Sequence, residues 1–414
     1  MFEIVGACGR AIAAGAIVVA VAACGSEVEV DTTGAGGGSS TSSASSGDAS
    51  VSSSSAGGSG GSGGSGGLPA PTCAKGEAAI LAALAWQNGK VVVNHEGTWT
   101  EGAPSLAGAY AVTTYVDVYN HLGVFWTEQI DAWRSHFATT SDGTSFDVHD
   151  AHGWFPQAWS PLVTVGRSLL LGNAGEGSVL AYFDPDAFDW HPYPDPAPFD
   201  VTSAVIREAA GTVLGVGLGP LHDLCDTEIF WADGGSWTDP HCRDDVEVFM
   251  GNEIPVAPPR AVALPNGDVV VVYHESYVKL AATMNHAGIW SAPESITLPE
   301  QGLDVALTTT PGGDVIVGVP GTSGGVFALR YGPGVGWGEP FPIGTTSSST
   351  SPISAAPGIC GDDALIAYVD GGIDGEVRVA RIRGDAAEVS TVEWFTEDVP
   401  NSISITTRRP DPSP

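Results

Sequence analysis

The chain has 414 residues and a formal net charge of −33 at pH 7. Phosphate binding requires clustered cations, so this charge excludes nucleic acid as a partner and disfavours anionic lipid headgroups. Gly is abundant (56 residues), Trp numbers 12, and Lys occurs only at Lys75, Lys90 and Lys279, a composition that favours strands over surface helices.

The acidity is explained most simply as a way of keeping an exposed protein soluble. The alternative is a surface that attracts cations such as Ca²⁺. We expect a monomer without a bound cofactor.

Residues 1–23 have the features of an export signal. The apolar run from Ala11 to Ala23 is shorter than the roughly 20 residues of a membrane span and fits the central region of a signal peptide. It ends at Val21-Ala22-Ala23-Cys24, which resembles a bacterial lipobox. The resemblance implies that Cys24 receives the lipid and becomes the new N-terminus, and that the protein lies at the outer membrane or cell surface. The alternative is an ordinary secretory signal that is cut near Ala23.

Residues 24–70 are predicted to form a lipidated anchor and a disordered linker. From Asp31 to Gly67 the chain is nearly all Gly, Ser, Thr and Ala, which cannot bury enough apolar surface to offset its conformational entropy. A random coil of this length reaches about 35 Å. Such a stalk lifts a domain away from a membrane.

Four cysteines follow the predicted anchor, and in an exported chain they indicate two disulfides with three possible connectivities. We pair Cys225 with Cys242, because they flank one loop. Cys73 and Cys360 then join the start of the domain to its last repeat, which suits a ring-shaped fold. A zinc site is the rival interpretation, but no CxxC or HxxxH spacing supports it.

A repeated strand-turn unit predicts an all-β fold over residues 71–407. Leu264-Pro-Asn-Gly-Asp-Val-Val-Val-Val-Tyr273 matches Thr310-Pro-Gly-Gly-Asp-Val-Ile-Val-Gly-Val319, and Pro357–Tyr368 is a looser copy. Each copy is a turn that opens a β-branched run, then a second strand and a Gly-x-Trp turn. The turn signal occurs at Gly89, Gly123, Gly166, Gly211, Gly267, Gly313 and Gly361.

A spacing of about 45 residues is typical of propeller blades. We predict a single β-propeller with seven blades, with six as the alternative because the first interval is short. The segment Ser402–Thr406 is the candidate strand that closes the ring, and residues 408–414 are predicted to be a disordered tail. Two unrelated β-sandwiches are the competing architecture.

The repeats resemble sialidase-like propellers of the BNR or Asp-box type. Thr140-Ser141-Asp142-Gly143-Thr144-Ser145-Phe146 is similar to a degenerate Asp box, in which the Asp caps a turn and the aromatic residue packs between strands. The resemblance implies an Arg triad, a Tyr/Glu pair and an Asp acid/base in active members. No Arg occurs between Arg10 and Arg134, so the first of those elements is missing. Tyr273 with Glu275 is the nearest match to the Tyr/Glu pair, and packing is the better explanation of Tyr273.

Three acidic or His-rich segments were weighed as metal sites. His149-Asp150-Ala151-His152 places its two His on opposite sides of a strand. Asp184–Asp189 and Asp370–Glu376 lack the full ligand ladder of a Ca²⁺ loop and are explained as turn formers. We therefore predict no metal ligands, with Ca²⁺ as a weaker possibility.

The tryptophans separate into two groups. Trp99, Trp237, Trp290 and Trp337 lie at repeating turns, where packing between blades explains them. Trp126, Trp133, Trp154, Trp159 and Trp190 are irregularly placed and mark the expected ligand-binding face.

The sequence thus predicts a membrane-anchored cell-surface lipoprotein whose propeller binds an extracellular protein or glycan without catalysis. The alternatives are a sialidase-like glycosidase or lyase, and a structural envelope protein.

Overall fold

The computed structural model of the chain describes residues 73–408, apart from 86–87, 103, 118–119, 130–132, 154–161, 164–168, 174–177, 185–188, 193–197, 208–211, 231–235, 252–253, 347–350, 371–374 and 393–398. Within residues 151–197 only the backbone of the strands is described. The predicted signal peptide, the linker to residue 70 and the tail beyond Arg408 lie outside the described residues. The described part of the chain contains no helix, so it holds none long and apolar enough to cross a membrane.

The strands form six hydrogen-bonded sheets, numbered I to VI in chain order. Sheet I contains β1 (Ala78–Ala85), β2 (Asn88–His95), β3 (Thr98–Gly102) and β30 (Ser402–Arg408). Sheet II contains β4 (Ala109–Val116), β5 (Leu122–Gln129), β6 (Trp133–Thr140), β7 (Asp147–Gly153), β8 (Leu162–Val163), β9 (Leu169–Asn173), β10 (Ser178–Asp184) and β11 (Asp189–Pro192). Sheet III contains β12 (Asp200–Ile206), β13 (Thr212–Leu218), β14 (Asp223–Phe230) and β15 (His241–Glu247).

The three remaining sheets cover the C-terminal half of the chain. Sheet IV contains β16 (Arg260–Ala263), β17 (Val269–Ser276), β18 (Lys279–His286), β19 (Ile289–Trp290) and β20 (Glu294–Thr297). Sheet V contains β21 (Ala306–Thr309), β22 (Val315–Pro320), β23 (Gly325–Gly332), β24 (Gly336–Trp337) and β25 (Phe341–Thr345). Sheet VI contains β26 (Ile353–Pro357), β27 (Ala364–Val369), β28 (Val377–Arg383) and β29 (Ala386–Val392).

The sheets are antiparallel, with one exception in sheet II. There β7 pairs in parallel with β11, with Trp190 opposite Gly153. This pairing joins two four-stranded antiparallel halves, β4–β7 and β8–β11, at their outer edges.

The first strands of the sheets form a closed series, which identifies the fold as a β-propeller. Contacts run from β4 to β8, β12, β16, β21, β26 and β30, and β30 in turn contacts β4. The all-β propeller predicted from the repeats is therefore confirmed, and the alternative of two separate sandwiches is not what forms.

The hydrophobic core lies between neighbouring sheets, as the second strands show. In β17, Val270 and Val272 pack with Val315 and Val317 of β22, while Val269 and Val271 pack toward β13. Both faces of the strand are therefore buried. Because alternate side chains face different neighbours, the second strands read as continuous apolar runs rather than alternating ones.

The C-terminal strand closes the ring, as predicted. β30 pairs antiparallel with β1 along its whole length, from Leu84 opposite Ser402 to Ala78 opposite Arg408. The strand extends one residue beyond the predicted domain boundary at residue 407, because Arg408 is buried and donates to the carbonyl oxygen of Gly76.

The same closure corrects the assignment of the first repeat. The turn-then-strand signal at Gly89 does open a strand, β2, but β2 is the third strand of sheet I counted from β30, whereas the strands that follow Gly267 and Gly313 are the second strands of their sheets. The innermost strand of this sheet comes from the C-terminus, so the N-terminal segment begins at the second strand. This explains why the interval from Gly89 to Gly123 is short.

Three serines fasten neighbouring first strands to one another. Ser203 of β12 accepts the backbone N–H of Ala261 at 2.9 Å, and Ser404 of β30 accepts that of Thr114 at 2.9 Å. Ser354 of β26 accepts the N–H of Ile405 at 3.2 Å. First strands of neighbouring sheets are not joined by backbone–backbone hydrogen bonds. The serine hydroxyl instead accepts the backbone N–H of the neighbouring strand, which would otherwise lack a partner.

Replacing Ser203 with Ala is expected to lower the free energy of unfolding by about 1–2 kcal/mol, because the partly buried N–H of Ala261 loses its hydrogen-bond partner. Urea unfolding measures the change. Ser295→Ala, at an exposed position of β20, is the control and is expected to change stability by less than about 0.5 kcal/mol. Equal effects of the two variants would contradict the role given to Ser203.

Candidate functional site

The two ends of the sheets differ in the chain segments they carry. One end, the turn face, carries the turns from first to second and from third to fourth strands. The other end, the connection face, carries the turns from second to third strands and the connections that enter the next sheet. On the connection face, backbone hydrogen bonds join the turns between second and third strands to the connections. Gly302 N donates to the carbonyl oxygen of Tyr277, Thr322 N to that of Gln301 and Asn401 N to that of Leu84, each at 2.8 Å.

On the turn face, the Asp of each clear repeat is paired with a basic side chain from the third strand, either His or Arg. Asp268 lies 2.6 Å from His286, and Asp314 lies 2.8 Å from Arg330. In sheet VI, Asp362 accepts from both Arg381 (2.7 Å) and Arg383 (2.6 Å). The repeated Asp therefore holds a turn to its own sheet and is a structural feature of the repeat.

The Asp-box-like segment lies between β6 and β7, also on the turn face. Asp142 accepts the backbone N–H groups of Thr144 and Ser145 at 2.8 Å, and these hydrogen bonds hold the pKa of Asp142 well below its usual range. Phe146 packs against the core between sheets I and II. The turn-capping Asp and packed aromatic residue predicted from the resemblance are therefore present.

The turn tryptophans connect neighbouring sheets. The indole N–H of Trp290 donates to Asp226 of β14 at 2.9 Å, and that of Trp337 donates to the carbonyl oxygen of Glu294 at 2.8 Å. Trp99 packs against the core between sheets VI and I. The packing role predicted for these three residues is confirmed, whereas Trp237 lies against Gly215 of its own sheet.

The connection face carries exposed apolar side chains on sheets III and IV, which we call the apolar rim: Leu221, Ile254 and Val278. They are 76%, 46% and 38% exposed. Tyr277 joins them, because its hydroxyl donates to the carbonyl oxygen of Ile254 at 3.2 Å and its ring meets Phe249 edge-on at 4.8 Å. These two contacts support the part of the rim around Ile254.

Two ionisable groups, Asp304 and Arg260, lie close enough to interact at the start of neighbouring first strands on the same face. Asp304 precedes β21 and Arg260 begins β16, and these two first strands are in contact. Desolvation raises the pKa of Asp304, which the positive charge of Arg260 partly offsets. His274, near the end of β17, shares the strand face of Val270 and Val272. A desolvated carboxyl group beside an Arg is a feature seen at functional sites as well as in structural pairs.

His274 is expected to make the protein less stable as the pH falls. It is fully buried, its Nδ1 lies 3.4 Å from the carbonyl oxygen of Ser276, and burial lowers its pKa to about 4. The unfolded chain protonates near pH 6.5, so the stabilisation is complete above that pH and is lost as the pH falls toward 4. We expect a loss of about 2 kcal/mol between pH 7.5 and pH 5 from this group.

The measurement is the urea midpoint at the two pH values for the wild type and for His274→Asn. The substitution should remove this part of the pH dependence. The control is His222→Asn, because His222 is exposed at φ 64°, a conformation that Asn tolerates. An unchanged pH dependence in His274→Asn would contradict the assignment.

The predicted ligand-binding tryptophans are only partly described. Trp154 and Trp159 lie outside the described residues, and only the backbone of Trp133 and Trp190 is described, in β6 and β11. Trp126 departs from the expectation of an accessible aromatic surface. It is 3% exposed, because it packs with Val124 and Ala138 in the core between sheets I and II.

One cluster near the connection face was not foreseen from the sequence. The imidazole of His136 stacks on Trp126 with ring centroids 5.2 Å apart. Its Nδ1 lies 2.8 Å from Asp150 and its Nε2 lies 3.3 Å from Glu128. We call these four residues the His136 cluster. The residues come from three strands, and only the registers that place Trp126 opposite His136 and His136 opposite Asp150 bring them together.

Other candidates from the sequence take structural positions, whereas the side chains of His152 and of the segment Asp184–Asp189 lie outside the described residues. Tyr273 is 2% exposed and packs between sheets III and IV, while Glu275 pairs with Lys279 at 3.3 Å. Asp370 and Glu376 both pair with Arg378, at 2.6 Å and 3.0 Å.

The predicted cysteine pairs are both present as disulfides, Cys73–Cys360 and Cys225–Cys242. Glu77 lies beside the first of them and accepts the N–H groups of Ala74 and Cys360, each at 2.9 Å.

The chain is similar to solved proteins of propeller-type fold. These include a putative 6-phosphogluconolactonase from Bacteroides uniformis (12% identity, TM-score 0.54, covering 80% of this chain and 100% of that one). They also include a lectin from Burkholderia pseudomallei (15%, 0.53, 77% and 95%) and a periplasmic gluconolactonase from Pseudomonas aeruginosa (12%, 0.54, 80% and 99%). No protein-family model and no curated protein matches the sequence. At these identities the likeness supports the propeller fold and nothing finer.

Proposed function

We propose that this protein is a lipid-anchored cell-surface lipoprotein whose propeller binds an extracellular protein through the connection face. The proposal includes lipidation at Cys24 and seven blades, counted as the two halves of sheet II together with sheets I, III, IV, V and VI. The observation that carries the binding function is the apolar rim. Two neighbouring sheets bring these exposed aliphatic side chains to one face, and this favours a protein partner, since exposed apolar patches mark interaction sites.

A glycan is the second ligand class. Sugar recognition uses accessible aromatic rings, and the propeller-fold lectin supports this possibility as far as fold analogy reaches. Trp126 is buried. The exposed residues of the rim are aliphatic, so protein is favoured over glycan.

The test is cross-linking on cells that display the full chain. Leu221→Ser with Ile254→Ser is expected to abolish a cross-linked partner that the wild type captures. The matched control is Ile289→Ser with Val335→Ser, since these residues are 73% and 90% exposed at turns of the opposite face. An identical partner set in all three chains contradicts binding at the rim. A glycan array with the purified Cys24→Ser chain tests the second ligand class.

Catalysis is supported by one observation, the desolvated Asp304 beside Arg260. The sialidase-like alternative requires three converging arginines. Among the described residues, Arg207, Arg330 and Arg381 are instead paired with carboxylates of strands and turns. A fluorogenic sialoside assay tests this alternative, and turnover that disappears in Asp304→Asn would favour an enzyme over a binding protein.

A further inference from the structure

The His136 cluster places one imidazole between two carboxylates. His136 lies in the third strand of the first half of sheet II, with Glu128 on one side and Asp150 on the other. The side chains of His136 and Glu128 are 13% and 18% exposed, whereas that of Asp150 is 73% exposed. The cluster is therefore close to the surface, with its centre mostly enclosed.

The hydrogen bonds determine which ring nitrogen is available. Nδ1 lies 2.8 Å from Oδ1 of Asp150, and the carboxylate is an acceptor, so Nδ1 carries the proton. If the ring is neutral, its Nε2 is therefore unprotonated and carries a lone pair. It is buried and makes no hydrogen bond, although Oε2 of Glu128 lies 3.3 Å away. In that neutral form, two electron-rich atoms face each other across this gap.

A cation between these atoms would remove their repulsion, and the spacing suits a metal ion. Zn²⁺ binds His nitrogen and carboxylate oxygen at about 2.0–2.2 Å with tetrahedral geometry, which separates two ligand atoms by about 3.3–3.5 Å. The observed separation is 3.3 Å.

A neighbouring residue also orients each of the two ligand groups, His136 and Glu128. Asp150 holds the Nδ1 of His136, which is the carboxylate–histidine arrangement found around bound zinc. The indole N–H of Trp126 donates to Oε1 of Glu128 at 3.3 Å, leaving Oε2 for the ion. We propose that His136 and Glu128 bind a divalent transition-metal ion of the zinc class, with Asp150 and Trp126 as positioning residues and water or an external ligand in the other coordination positions.

The rival explanation is a doubly protonated imidazolium that pairs with both carboxylates. The two explanations differ in what occupies the gap at Nε2: an exchangeable ion or a proton. This proposal does not depend on the binding function proposed above, since a metal ion at this place also suits a structural protein.

The test titrates Zn²⁺ into the full-length Cys24→Ser chain at pH 7, after treatment with a chelator, and follows binding by calorimetry. We expect one site that is lost in His136→Gln and in Glu128→Gln, and that is weakened 10- to 100-fold in Asp150→Asn. The matched control is His149→Gln. His149 lies on the next strand, 3.0 Å from Asp147 and stacked on Phe137, and its loss is expected to leave this site unchanged.

A second measurement keeps the test decisive if a variant unfolds. In the wild-type chain, the ¹⁵N shifts of His136 should show a neutral ring with Nδ1 protonated, and the Nε2 signal should move when Zn²⁺ is added. An imidazolium signal that Zn²⁺ does not change would overturn the proposal. So would Zn²⁺ binding that is equal in the wild type and in a folded His136→Gln variant.

Discussion

Replacing Cys73 and Cys360 together with Ser is expected to lower the free energy of unfolding by about 5 kcal/mol. The two residues are 287 positions apart, so the disulfide restricts nearly the whole unfolded domain. In the chain-entropy description, the stabilisation grows with the logarithm of the loop length. The disulfide also holds the first residues of the domain, at Cys73, beside sheet VI.

The second disulfide provides the matched control. Cys225 and Cys242 are 17 positions apart, and their double replacement with Ser is expected to lower stability by about 3 kcal/mol. Urea unfolding of both variants, with and without a reductant, measures the difference. A smaller effect for the long loop than for the short one would mean that the unfolded chain does not gain the expected freedom.

The C-terminal repeats could be predicted because their signals are local. Asn266-Gly267-Asp268 and Gly312-Gly313-Asp314 each open a β-branched run, and Gly267 and Gly313 adopt φ 87° and 90° in the observed turns. Only Gly takes such angles without strain. The period, the turn and the burial of the following strand therefore agree with one another.

The first sheet could not be assigned in the same way. Its innermost strand is β30, more than 300 residues beyond β1 in the sequence, so no local pattern around Gly89 indicates which strand it precedes. The closing strand itself was found because a propeller must leave no open edge. The requirement for ring closure therefore predicted β30, which the repeat period alone does not indicate.

The His136 cluster was missed for a related reason. Trp126, His136 and Asp150 are ten or more residues apart, so no local motif links them, although Asp150 belongs to the segment His149–His152. Trp126 was predicted to be an exposed ligand contact, which does not indicate a buried partner for His136. Cross-strand register is the signal that could have found them, since two hairpins place the three residues side by side on one sheet face. The sequence between β5 and β6 contains no Gly or Pro that would predict this register.

Ending the chain after Asn401 is expected to abolish cooperative folding. The truncation removes β30, which leaves β1 without its inner partner and takes away the neighbour of both β4 and β26. It also removes Ile403 and Ile405, which are 8% and 5% exposed. Each buried Ile contributes about 2–5 kcal/mol, so together with the lost ladder the deficit is comparable to the total stability of a domain, about 5–15 kcal/mol.

The control ends the chain after Arg408 and keeps the whole of β30. It should show the circular dichroism and the urea midpoint of the full chain. The shorter truncation should lack a sigmoidal transition, and a synthetic peptide of residues 402–408 should restore one by adding a strand to the free edge of β1. A shorter chain that still unfolds cooperatively without the peptide would show that the sheets hold their arrangement without closure by β30.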